Sequence, residues 1–109
     1  MIVTNIESLP QKKNKVYLDG DYAFMLYDRD IAVYGISEGM EMSDMLYCKI
    51  TEDTVFRRAK QKAMSVLERT DKSEAELRRK LKEALYTDYI IDRTIDYLYG
   101  FHYLTVKHI

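Results

Sequence analysis

The chain has 109 residues, with 17 Lys and Arg against 18 Asp and Glu, 47% hydrophobic residues, one Cys and no Trp. That length suits one domain or two very small ones. The apolar content argues against intrinsic disorder, the net charge of −1 against a histone-like basic nucleic-acid binder, and the lone cysteine against an internal disulfide. No run approaches the ~18 apolar residues of a membrane span, and no basic-then-apolar leader opens the chain, so the expected compartment is the cytoplasm.

In chain order, a short strand is expected over Ile2–Ser8, turning at Pro10. Two further strands, Lys15–Asp19 and Asp21–Tyr27, flank the hairpin dipeptide Asp19-Gly20, with Val16, Leu18, Tyr22, Phe24 and Leu26 alternating around it. Asp28 is placed to cap a short helix through Ile31, Ala32 and Tyr34, closed by Gly35. Helical territory begins near Ser43. Val55, Ala59, Ala63, Val66 and Leu67 then recur at helical spacing, predicting an amphipathic helix over 51–69. Ser73 and Glu76 have capping-box spacing ahead of a second helix that buries Leu77 and Leu81. A third starts near Asp88, buries Ile91, Ile95 and Leu98, and is expected to end at Gly100. The predicted class is α+β: a small N-terminal antiparallel β-sheet over 1–50, then a three-helix repeat unit over 51–109.

Charge is unevenly spread. Residues 1–50 hold five basic and eight acidic residues, whereas 57–82 hold ten basic and four acidic. On the first of the three helices Arg57, Arg58, Lys60 and Lys62 leave the apolar stripe free, with Arg69 at its end. On the second, Arg78, Arg79 and Lys82 are expected to face away from Leu77 and Leu81. Such charges form either a solvated helix face, supported by pairs such as Glu74–Arg78, or a surface that follows a phosphate backbone or an acidic protein groove.

Catalysis finds little material. His102 and His108 have a spacing that suits neither a helical nor a strand metal pair, Cys48 has no nearby His, and the glycines are scattered singly. No catalytic, cofactor-binding or metal residues are therefore assigned. Ten tyrosines supply either the edge of a Trp-free core or a self-association surface.

The run Ala63-x-x-x-Leu67-x-Arg69-x-x-x-Ser73-x-x-Glu76-Leu77-x-x-Lys80-Leu81 resembles the repeat signature of the RecX regulatory proteins. Ile91, Ile95, Leu98 and Gly100-Phe101-x-Tyr103-Leu104 are similar to the close of that repeat, and the strand-rich first half with its Asp-Gly hairpin resembles the segment that precedes it. The resemblance implies a non-enzymatic regulator that binds RecA recombinase filaments in DNA recombination and repair, inhibits their extension and activity, and needs no cofactor. By that reading the RecA-contacting or DNA-contacting residues are Arg57, Arg58, Lys60, Lys62, Arg69, Arg78, Arg79 and Lys82. A small helical nucleic-acid-binding module and a self-associating interaction domain are the alternatives. After Tyr103-Leu104 the sequence departs from the family pattern, and one repeat stands where several are usual.

Overall fold

Alternation with period two and a two-residue turn are what build the first element group. In the computed structural model, which describes residues 1–69 and 73–104, β1 (Val3–Leu9), β2 (Lys13–Leu18) and β3 (Asp21–Tyr27) form a three-stranded antiparallel sheet in the order β1-β2-β3. Asp19 (φ 50) and Gly20 (φ 87) both take the left-handed conformation that a tight primed hairpin requires, and Leu18 pairs with Asp21 across it. Val16, Leu18, Phe24 and Leu26 are buried, as the alternation predicts. Between Val16↔Phe24 and Tyr17↔Tyr22 the register slips, leaving Ala23 as the extra residue of a bulge. The slip brings Tyr17 and Tyr22 edge to face at 5.7 Å, with the Lys15 ammonium 4.9 Å from the Tyr22 ring centre.

Helix α1 (Asp28–Tyr34) follows β3 directly. Its N-cap is Tyr27 rather than Asp28: the Tyr27 amide donates to the Asp30 carboxylate at 2.9 Å, so the acid acts from the third helical position. Gly35 (φ 65) closes it, with Ile36 N–H donating to the Ile31 carbonyl. The outer edge of β1 is covered by the segment that follows, where Val3 N–H donates to Met40 O and Gly39 N–H to Val3 O. Ser43 caps α2 (Asp44–Lys49), its hydroxyl accepting from the Leu46 amide at 3.1 Å.

The continuous α-helix expected over 51–69 is not what forms. Ile50–Phe56 is π-helical, and α3 proper runs Arg57–Arg69. Ile50, Thr51, Thr54 and Val55 are all β-branched and all buried. Such side chains crowd the preceding α turn, and a wider turn relieves the crowding. The chain divides into two units at this point, Met1–Val55 and Phe56–Ile109.

In the second unit α4 (Glu74–Glu83) starts at Ser73, whose hydroxyl accepts from the Glu76 amide at 3.2 Å. Helix α5 (Asp88–Gly100) starts at Thr87. Both end in the same hydrogen-bond pattern: Tyr86 N–H to Leu81 O and Leu85 N–H to Lys82 O, then Tyr103 N–H to Leu98 O and His102 N–H to Tyr99 O. The left-handed position is taken by Leu85 (φ 73) and His102 (φ 63). Helix α5 ends at Gly100, as expected, and its left-handed position falls two residues later. The core of this unit is Ala63, Leu77, Leu81, Ile91, Ile95 and Leu98, contributed by α3, α4 and α5.

Candidate functional site

The basic residues separate into groups with different partners. On α3, helical spacing sets Arg58, Lys62 and Arg69 on one flank of the buried Ala59–Ala63 stripe, and Arg57 and Lys60 on the other. Lys60 lies over aromatic rings, its ammonium 4.4 Å from the centre of Phe56 and 4.9 Å from that of Tyr97. The Arg93 guanidinium lies 4.1 Å from the same Phe56 ring centre. Lys62 and Arg69 are exposed and make no ion pair among the described residues. Arg69, in the last turn, also complements the negative end of the helix dipole.

Helix α4 behaves differently. Arg78 donates from Nε to Glu74 at 2.9 Å and from Nη1 to Asp92 of α5 at 2.7 Å. Lys82 reaches Asp88 at 2.8 Å, and Arg79 pairs with Glu83 one turn on. The Tyr99 hydroxyl donates to the other Glu74 oxygen at 2.6 Å. Arg78 and Lys82 thus line the seam with α5 instead of an outward basic face, because Asp88 and Asp92 recur four residues apart along the facing side of α5. Those two acids and Tyr99 are the residues that reading α4 alone overlooks. The spacing of the aspartates was the signal available.

The electrostatic consequences have definite directions. Tyr99 first, then Arg78, hold the Glu74 carboxyl below the ordinary glutamate value, and Lys82 holds Asp88 below that of an ordinary aspartate. The Arg78 guanidinium is raised by Asp92 and then Glu74, and the Tyr99 phenol is raised by Glu74. Depressed carboxyls contribute stability above their unfolded values and lose it as pH falls through their folded values. The raised phenol contributes below its unfolded value and loses its share as pH rises through the folded one. The seam therefore supports the unit across the neutral range. Melting temperature measured from neutral to about pH 3 should fall, and Glu74→Gln should flatten that acid limb; an unaltered limb in the variant would count against the seam.

Among the described residues no group of three or more His, Cys, Asp or Glu could hold a metal ion; His102 takes the left-handed position after α5, Cys48 is exposed on α2, and His108 lies outside the described residues. Among the described residues no helix is long and apolar enough to cross a membrane.

The family model for the first three-helix domain of RecX matches residues 59–98, which contain the six core residues of the second unit. The regulatory protein RecX of Clostridium acetobutylicum is 35% identical over 99 residues, 88% of this chain and 46% of that protein. That of Clostridium beijerinckii is 30% identical over 104 residues, 94% of this chain and 49% of its own length. The chain belongs to the RecX family. It spans about half the length of the curated RecX relatives it matches. A crystal structure of a regulatory protein RecX superposes with a TM-score of 0.47 at 21% identity, over 91% of this chain and 49% of that one. Of the eight basic positions, Lys60, Lys62, Arg69, Arg78, Arg79 and Lys82 fall within the stretch matched to the RecX domain, while Arg57 and Arg58 precede it.

Proposed function

We propose that this chain is a non-catalytic, cytoplasmic regulator that binds RecA recombinase filaments and restrains their extension and activity in DNA recombination and repair. The observation that carries this reading is the alignment with RecX regulatory proteins across 88% to 94% of the chain, sheet unit and helical unit together. Within the basic set, the reading gives the contact role to the α3 flank, where Lys62 and Arg69 are exposed and form no ion pair among the described residues. Arg78, Arg79 and Lys82 take a supporting role in this reading, since a cation already held by a carboxylate offers less potential to a partner.

The test is ATP hydrolysis by RecA on single-stranded DNA with the purified chain added. Hydrolysis is expected to fall, and Lys62→Glu combined with Arg69→Glu is expected to raise the concentration needed by about tenfold or more. No change at large excess overturns the reading for this chain. A second reading, direct nucleic-acid binding, is favoured by the same flank, whose three cations span roughly 16 Å of helix. It requires binding without RecA that weakens with salt at a slope of about −0.9 per phosphate contacted on duplex DNA. A self-associating chain would instead reveal itself as a dimer by sedimentation.

A further inference from the structure

One end of the sheet holds a cleft that the regulatory reading does not use. The β2–β3 ladder closes at Lys13↔Tyr27, and one step further the Asp28 amide donates to the Lys12 carbonyl at 2.9 Å. This link draws the β1–β2 turn against the start of α1. Gln11 (φ 65) and Lys12 (φ 61) are both left-handed, a region that side-chain-bearing residues rarely enter and never favour in succession. Strained backbone of this kind gathers at ligand clamps.

Around the strained pair, Gln11, Lys12, Tyr27, Asp28 and Arg29 line a cleft of about 640 Å³, mostly apolar in its walls. Small-ligand sites usually fall between about 300 and 1,000 Å³. Its charges are asymmetric. Asp28 accepts from the side-chain amide of the buried Asn14 at 2.8 Å, which fixes one carboxylate oxygen, and two cations against this one acid leave the cleft net positive. Lys12 and Arg29 are both exposed, and neither makes an ion pair among the described residues. A guanidinium fork and an ammonium on the walls of one cleft suit a phosphate, the first by paired donors and the second as a point charge. The Tyr27 ring and the apolar wall suit a planar group attached to that phosphate.

We propose that this cleft binds a nucleoside monophosphate, with its phosphate between Lys12 and Arg29 and its base against Tyr27. The site lies wholly within the sheet unit and is independent of the α3 flank, so it stands or falls apart from the RecA reading. A phosphate is also offered by a nucleic-acid strand, and the probes are chosen to separate the two sources. The full chain, labelled with nitrogen-15, is titrated with AMP, adenosine, inorganic phosphate and a short oligothymidylate.

AMP is expected to shift the amides of residues 11–12 and 27–29 saturably. Adenosine and inorganic phosphate should each bind about tenfold more weakly or worse, having lost one half of the recognition. Lys12→Ala and Arg29→Ala alter exposed side chains, and retained amide spectra verify their fold; each should weaken AMP by about tenfold. Absence of a saturable shift at those amides overturns the proposal. So does AMP binding undiminished in both variants, and so does occupancy of the cleft by the oligonucleotide but not by AMP.

Discussion

Leu81→Ala should cost about 2–5 kcal/mol, which makes it one of the two most damaging single changes expected in the chain. Leu81 is fully buried at the meeting of α3, α4 and α5, in one cluster with Ala63, Leu77, Ile91, Ile95 and Leu98. Truncation removes the transfer free energy of the lost carbons and leaves a void that three helices, held by short connections, cannot close. Whole domains are stable by only about 5–15 kcal/mol, and a helical unit of this size has less to lose. Urea unfolding followed by the helical circular dichroism signal measures the effect. A loss under about 1 kcal/mol would mean that Leu81 is not a core residue.

Leu26→Ala is the counterpart in the first unit, with a similar expected cost of about 2–5 kcal/mol. Leu26 is fully buried on β3 opposite Asn14, and its carbonyl accepts from the Asn14 amide at 3.3 Å. The substitution therefore removes apolar packing beside a buried polar group whose bonds, to Leu26 O and to Asp28, depend on the strand staying in place. Amide hydrogen exchange distinguishes the two variants. Leu26→Ala should accelerate exchange in β1–β3, and Leu81→Ala in α3–α5. A reversed pattern would contradict the assignment of each leucine to its own core.

Much of this architecture was legible because its signals are short-range. The Asp19-Gly20 hairpin, the Ser43 and Ser73 caps and the Leu77–Leu81 stripe each follow from residues within a few positions of one another. The misreadings have equally local causes. A hydrophobic stripe through Val55, Ala59 and Ala63 looks the same whether the preceding turn is α or π, and only the crowding of Ile50, Thr51, Thr54 and Val55 marks the wider turn. Helix α5 does end at Gly100, but the left-handed position that glycine usually holds falls at His102. On α4 the Glu74–Arg78 pair is legible from its spacing, whereas the further partners, Asp92 of Arg78 and Asp88 of Lys82, are on another helix. Helical periodicity tells which residues share a face, and says nothing of what the next helix brings to it.

The α4–α5 seam carries one more consequence, concerning how the helices choose their alignment. Asp88, Asp92 and Asp96 recur every fourth residue, so the ion pairs form a ruler with identical marks. Sliding α5 by one turn, about 5.4 Å, would offer Asp92 to Lys82 and Asp96 to Arg78 with no loss of opposite charge. Even the phenol has a double, for Tyr103 follows Tyr99 by four residues. The buried packing of Ile91, Ile95 and Leu98 breaks the tie, and so does the left-handed turn at His102, which takes Tyr103 off the helix and leaves Tyr99 alone to meet Glu74. The phase of the helix pair is thus set by the buried stripe of Ile91, Ile95 and Leu98 and by where α5 stops, since the charges fit either alignment.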